Sequence, residues 1–454
     1  MTNGIIRTGR NDNMQIEKNT GSQARERLSL LFDDGIYSEI NSMVKEKDDL
    51  TGVVSAYGYV NGNAVYAFSQ DKTVNGGAVG NAQAAKIAKL YELAAKTGTP
   101  IVGIHDSDGA FVDGTAASLA AYGKMLNATS VVSGVVPQIS VIAGTCAGTA
   151  ALLACSSDFV IVTKESEFFA APNSSKGSAQ AAAESGIAAA VCDDDKAAIE
   201  KARDLVNILP VNNLAPVPMF EFADAAPSAS GDYKAVISSV ADADSEIELY
   251  AEFGTEAYTG FVTVGGSTVG VAYAGKNSGK LTSDDCMKLA RFVRTCDAFS
   301  FVDSEGFADA DAVSAIKAMT TLANSYAEAT TVKIAVVTGK AVGPVFTAIA
   351  GSGANADFTY SYPDAVIAPF AAVTAVEFMW HDKLKNAENL DAERNKLAAE
   401  YEKTLASAQT AAENNFIDDV IDASQTRNVL IAALDILSGK RVQKLPKKHN
   451  NIPC

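Results

Sequence analysis

Two short phrases in this 454-residue chain hold the residue types of a reactive turn. Ile101 to Gly109 closes on Asp106, Ser107, Asp108 and Gly109, and Phe301 to Gly306 closes on Asp303, Ser304, Glu305 and Gly306. An apolar run that ends in small residues and glycine reads as a buried strand delivering a turn of exposed backbone amides. Such a turn at a helix N-terminus aims unpaired N–H groups outward, with the positive end of the helix dipole behind them. Donors of this kind stabilise an enolate or other oxyanion as it develops. On this reading Gly109 and Gly148 are the best-placed donors of the first half, and Gly343 of the second. The alternative is that these glycines serve only close helix–strand packing.

Other chemistries are poorly supplied. Histidine occurs three times, as His105, His381 and His449. His105 ends a buried strand beside the acidic turn, where it either lines a site or is satisfied by neighbouring backbone. A Ser-His-Asp triad would need it as the base, and no nucleophile elbow accompanies it. The six cysteines, Cys146, Cys155, Cys192, Cys286, Cys296 and Cys454, form no C-x-x-C pair, so neither a zinc site nor a disulfide framework is expected. Neither a metal-ligand cluster, a Walker sequence nor G-x-G-x-x-G occurs. A net charge of −17 argues against nucleic acid or an anionic membrane as partner. Met1 to Asn13 is polar and lacks the apolar core of a secretory signal, and no apolar stretch approaches the ~20 residues of a spanning helix. A cytoplasmic protein with reduced thiols and no membrane insertion is expected.

The elements that must position the two turns also come twice. Alternating strands Val53 to Val60 and Ala64 to Gln70 flank Asn61-Gly62; Thr259 to Val264 and Thr268 to Ala274 flank Gly265-Gly266. Both dipeptides are strong hairpin signals, since each turn position tolerates positive φ. A helix follows each hairpin, with Ile87, Leu90, Tyr91 and Leu93 or Leu289, Phe292 and Val293 at helical spacing. Then come the strand with the acidic phrase, a second helix, and a buried strand at Ile139 to Ala143 or Ile334 to Thr338. Each of those strands is expected to run into a glycine turn, Gly144 to Gly148 or Gly339 to Gly343, and a helix. Asp158-Phe159 and Asp357-Phe358 open the next strand. Landmarks repeated in this order, about 200 residues apart, predict an internal duplication: residues 1–225 and 226–454, each an α/β layered domain. Lys383 to Asn415 carries Leu390, Leu397, Tyr401 and Leu405 at helical spacing and predicts a helix pair packed on another subunit.

These residues resemble a known family, the carboxyltransferase subunits of biotin-dependent acyl-CoA carboxylases and decarboxylases, of the propionyl-CoA carboxylase β and methylmalonyl-CoA decarboxylase α type. The likeness runs from Ala24-Arg25-Glu26-Arg27-Leu28 and Leu31-Phe32-Asp33-Asp34-Gly35 to the terminus. Gln70-Asp71-Lys72-Thr73-Val74-Asn75-Gly76-Gly77 is similar to the family's Q-D-F-T-V-x-G-G. Ser133 to Ile139, Cys146-Ala147-Gly148, Leu209 to Asn213 and Ala290 to Phe299 are also similar to family segments. Ile417 to Ile421, Thr426-Arg427 and Lys447 to Pro453 follow its terminal pattern. The resemblance implies two tandem crotonase-like domains per chain and a hexameric ring. It implies acyl-CoA on the first domain, where Gly76, Gly77, Ala110 and Ala147 would contact it. It also implies biotin, on a separate carrier protein, at Pro344 and Phe346 of the second domain. A biotin carboxylase or a membrane decarboxylase subunit would be the further partner. Backbone amides would do the chemistry, with no metal.

Departures from the family pattern fall at the turns themselves. Its S-G-G-A-R reads Ser107-Asp108-Gly109-Ala110-Phe111 here, and its V-D-V-P-G-F reads Val302 to Phe307 with Glu305 in the proline position. K-A-x-G-G-A-Y reads Lys340 to Phe346, where Pro344 brings no N–H and leaves Gly343 and Val345 as donors. The acyl-CoA segments K-T-V-T-G-E and T-H have no counterpart in the Ala/Ser-rich stretch from Ala171 to Ser185. Three functions stay open: a carboxyltransferase, a scaffold subunit without turnover, and a CoA-thioester enzyme using Asp108 or Glu305 as acid or base. Both acids could also cap the helices that follow.

Overall fold

The computed structural model describes residues 21–46, 49–171, 177–225, 232–277, 279–309, 313–442 and 445–448. Met1 to Asn13, residues 172–176 of the Ala/Ser-rich stretch, and His449 with the remaining chain end lie outside the described residues.

The first half contributes β1 (Tyr37–Ile40), a small ribbon of β2 (Lys45–Glu46) and β3 (Asp49–Leu50), then β4 (Val53–Val60), β5 (Asn63–Gln70), β6 (Ile101–Ser107), β7 (Gln138–Ala147), β8 (Phe159–Thr163), β9 (Glu167–Phe169) and β10 (Ala190–Cys192). The second half adds β11 (Ile247–Leu249), β12 (Ala257–Val264), β13 (Ser267–Ala274), β14 (Ala298–Ser304), β15 (Lys333–Val342), β16 (Phe358–Ser361), β17 (Val366–Ala368) and β18 (Asp419–Val420). One eight-stranded sheet runs β1-β4-β5-β6-β7-β8-β10 with β9 on β7; the other runs β11-β12-β13-β14-β15-β16-β18 with β17 on β15. In each, the hairpin edge is antiparallel and the remainder parallel. The duplication is thus repeated strand for strand.

Local chemistry recurs with it. Both hairpin turns adopt positive φ, at Asn61 (47°) and Gly62 (78°) and at Gly265 (61°) and Gly266 (79°). Their amides are held by an aspartate that an arginine anchors. Asp33 accepts from Asn61 and Gly62, both at 3.0 Å, and pairs with Arg203 at 2.8 Å. Asp242 accepts from Gly265 at 2.9 Å and Gly266 at 2.8 Å, and pairs with Arg427 at 2.6 Å. The Asp-Phe landmarks share a role too: Asp158 accepts the Gln138 N–H at 2.9 Å and Asp357 the Lys333 N–H at 2.8 Å. The helices Asn81–Thr97 and Ser283–Phe292 pack Ile87, Leu90, Tyr91, Leu289 and Phe292 onto the sheets, matching the helical spacing.

Three details differ from expectation. Strands β7 and β15 run on through the residues expected to turn, as far as Ala147 and Val342. Their pairing shifts register beside Ser107 and Ser304, after which they pair with β9 and β17. Gly144 and Gly339 therefore extend a bent strand, and their missing side chains make room for a carboxylate: a Cβ at either would lie 2.4 Å from Asp106 Oδ1 or 2.2 Å from Asp303 Oδ1. The helix after β15 is a single π turn, Phe346–Ala350. Finally, Lys383 to Asn415 holds parts of three helices, His381–Lys385, Leu390–Lys403 and Ala408–Glu413. Leu397 and Tyr401 pack within the same chain, against Val376 and Trp380, while Leu390 and Leu405 stay exposed.

The two halves meet over one apolar core that includes residues of both. Phe159 of β8 and Phe261 of β12 stack edge to face with centroids 5.9 Å apart, and the Tyr250 N–H donates to Ala189 O at 2.9 Å. Among the described residues no helix is long and apolar enough to cross a membrane.

Candidate active site

Each residue of the repeated phrase has a separate task. The first aspartate fastens its strand to the next one. Asp106 is buried, accepts the Thr145 N–H at 3.1 Å, and pairs with Arg27 at 3.0 Å. Arg27 also reaches Asp195 at 2.7 Å and Ala143 O at 3.0 Å, so each of its three nitrogens has a partner within the fold. In the second half Asp303 accepts the Lys340 N–H at 2.8 Å, the equivalent bond. The serine then takes up an amide: Ser107 Oγ accepts from Gly109 at 3.1 Å and Ser304 Oγ from Gly306 at 3.3 Å. Those glycines sit at φ 104° and 122°, a region that side chains oppose. A Cβ on Gly109 would also come within 2.8 Å of Ala147 O.

The third position, acidic in both halves, faces water. Asp108 lies 3.5 Å from Lys72 Nζ and Glu305 3.0 Å from Lys340 Nζ. Neither caps a helix; each meets a lysine instead. The Glu305 carboxylate, by hydrogen bond and charge, holds the Lys340 ammonium above the ordinary lysine range. The lysine at 72 was legible as a cation standing where the family pattern has phenylalanine.

Immediately after the phrase lies the amide that the turn leaves over. Val79 N–H donates to Gly109 O at 2.9 Å and Phe111 N–H to Val79 O at 3.0 Å. In such a parallel bridge the intervening residue, Ala110, turns its own N–H away from Val79. Among the described residues nothing accepts it. The flanking amides are committed: Asp108 N–H to Gly76 O at 2.9 Å, and Gly109 N–H to Ser107 as above. Gly76 and Gly77 pass so close that a Cβ would fall 2.4 Å from Asp108 Oδ2 or 2.1 Å from Asp106 O, and both have positive φ near 65°. The structure thus gathers Gly76, Gly77, Asp108, Gly109 and Ala110 into one cluster.

Ala147 and Gly148 stand across from it. Gly148, at φ 60°, gives its N–H to Phe169 O at 2.8 Å, so the amides free of strand pairing begin at Thr149, where the helix Thr149–Cys155 starts. The second half repeats this arrangement. Gly343, at φ 64°, donates to Ala368 O at 2.7 Å; Pro344 is exposed; Val345 is buried and leads into Phe346. Leu281 N–H donates to Gly306 O at 2.9 Å and Ala308 N–H to Leu281 O at 2.8 Å, which leaves Phe307 as the counterpart of Ala110. Sequence reasoning passed over Phe307, although it stands directly after the second phrase.

His105 is a core residue. It is 2% exposed, its Nε2 is 3.1 Å from Ser140 Oγ, and its ring meets Phe68 edge to face at 5.3 Å. Burial pushes its pKa down to about 4, so it is neutral in the folded protein near neutral pH. The unfolded chain binds a proton that folded His105 refuses, so stability is full above the ordinary histidine range and falls as pH drops from about 6.5 to about 4. His105→Gln, which keeps a neutral hydrogen-bonding side chain, is expected to remove about 3 kcal/mol of that pH dependence. Urea unfolding at both ends of the window measures it; equal slopes in the two proteins would refute the assignment.

Comparison with known proteins places this geometry in a family. The model of the carboxyl transferase domain matches residues 17–452. The propionyl-CoA carboxylase beta chain of Cereibacter sphaeroides is 34% identical over 95% of this chain and 93% of its own length. The methylmalonyl-CoA decarboxylase subunit alpha of Propionigenium modestum is 34% identical over 97% and 95%. The solved hexameric transcarboxylase 12S, with methylmalonyl-coenzyme A bound, superposes with a TM-score of 0.89 at 32% identity, covering 95% of this chain and 92% of that one. The paired sheets are therefore the tandem crotonase-like fold of that enzyme, and this chain belongs to the carboxyl transferase domain family.

Proposed function

We propose that the chain is the carboxyltransferase subunit of a biotin-dependent acyl-CoA carboxylase or decarboxylase, moving a carboxyl group between biotin and a short acyl-CoA. The observation that supports this best is the Ala110 N–H, left over in a turn whose neighbouring amides at Asp108, Gly109 and Gly148 are all taken. A rigid donor of that kind suits the oxygen of a thioester enolate, because charge builds there only as the carboxyl group leaves or arrives. Gly76, Gly77, Gly109 and Gly148 shape the cradle, and amides past Ala147 and Gly148 add the second donor. Residues 1–225 then form the acyl-CoA side and 226–454 the biotin side.

The second-half turn fits the ureido oxygen of biotin: Phe307 N–H repeats Ala110 N–H, and Val345 N–H follows the donorless Pro344. Biotin, delivered by its carrier protein, supplies the exchangeable carboxyl group. Gly343 sets the turn and Phe346 borders it. A hexamer in which the first half of one subunit faces the second half of another completes the site, and a biotin carboxylase or a membrane decarboxylase subunit completes the complex in the cytoplasm. Purified protein incubated with methylmalonyl-CoA or malonyl-CoA and free biotin is expected to remove the carboxyl group. No turnover would sink this reading, and no acyl-CoA binding besides would leave a scaffold subunit in its place.

A further inference from the structure

We propose that Lys72 is a positioning residue for carboxyl transfer: it balances the Asp108 carboxylate, so that charge developing at the Ala110 N–H faces a neutral pair. This rests on the function proposed above. In the family pattern the two positions carry phenylalanine and glycine, both uncharged. Here both are charged, with opposite sign, and they touch: Lys72 Nζ is 3.5 Å from Asp108 Oδ1. The same ammonium donates to Thr145 Oγ1 on β7, which fixes it over the turn.

The second half reaches the same balance by another route. Glu305, where the family has proline, pairs at 3.0 Å with Lys340. Lys340 is the counterpart of Thr145, because each gives its backbone N–H to the first aspartate of its phrase, at 2.8 and 3.1 Å. Each half therefore brings a lysine to the acid at the third position, from two unrelated places in the chain. Stability does not account for this, since half-exposed ion pairs contribute little to it. An uncompensated carboxylate beside a growing negative charge would oppose the transition state far more than the ground state.

The test is a double-substitution cycle on carboxyl loss from methylmalonyl-CoA with free biotin. Lys72→Met is expected to lower kcat on the order of 10-fold with KM for the thioester nearly unchanged, because the charge that a bare Asp108 would repel develops only in the transition state. Adding Asp108→Asn to Lys72→Met is expected to restore the lost rate, and Asp108→Asn alone to raise kcat above the wild type. High salt should shrink the Lys72→Met deficit, while a purely structural role would move the melting temperature instead. Full activity in Lys72→Met, a double variant as slow as Lys72→Met, or abolished activity in Asp108→Asn would each overturn the proposal; the last would make Asp108 an acid or base. A wild-type protein without turnover would refute the carboxyltransferase reading itself, and this inference with it.

Discussion

Arg27→Met is expected to lower the unfolding free energy by about 3–5 kcal/mol, because it strands a buried carboxylate. The Arg27 and Asp106 side chains are only 3% and 6% exposed, and their 3.0 Å pair lies under the strand that ends in the reactive turn. Asp195, the other partner, is 28% exposed and can fall back on water. The cost therefore concentrates on Asp106, which keeps the Thr145 N–H but loses its counter-charge. Urea denaturation measures the loss. Adding Asp106→Asn to Arg27→Met should recover part of it, since no bare charge then remains; a single-variant loss below about 1 kcal/mol would mean that the pair behaves like an exposed one.

The largest expected effect on activity comes from Ala110→Pro. Proline removes the one N–H that the turn leaves unused and keeps the bridge intact, since the bonds Val79 N–H to Gly109 O and Phe111 N–H to Val79 O need nothing from the amide at 110. Strand positions whose N–H faces away from the ladder are those that tolerate proline. Loss of one oxyanion donor lowers kcat by about 10²- to 10³-fold. Carboxyl-loss kinetics beside an Ala110→Ser control, with thermal melts of both, separate catalysis from folding. Wild-type kcat in a folded Ala110→Pro protein would remove the Ala110 N–H from the mechanism.

What could be read in the sequence was whatever depends on neighbours along the chain. The Asn61-Gly62 and Gly265-Gly266 hairpins, their flanking strands and the helices behind them follow from turn chemistry and periodicity, and they appear within a few residues of their expected limits. The order of landmarks revealed the duplication for the same reason. Misreadings arose where a distant residue decides. Gly144 looks like a turn in sequence, but its missing side chain holds the carboxylate of Asp106. Gly148 and Gly343 look like free donors until β9 and β17 claim their amides. Asp108 and Glu305 look like helix caps until lysines from other strands and loops arrive beside them. Glycine marks a place where backbone comes close; which group comes close is decided by the fold.

The ring contact between Phe159 and Phe261 and the backbone link from Tyr250 to Ala189 have a consequence for the ancestry of this chain. A freshly duplicated gene encodes two copies that could be cut apart. Here the seam has closed: severing the halves would bring Phe159 and Phe261, 2% and 0% exposed, into water. What was inherited is half a chain, but what now folds is the whole of it.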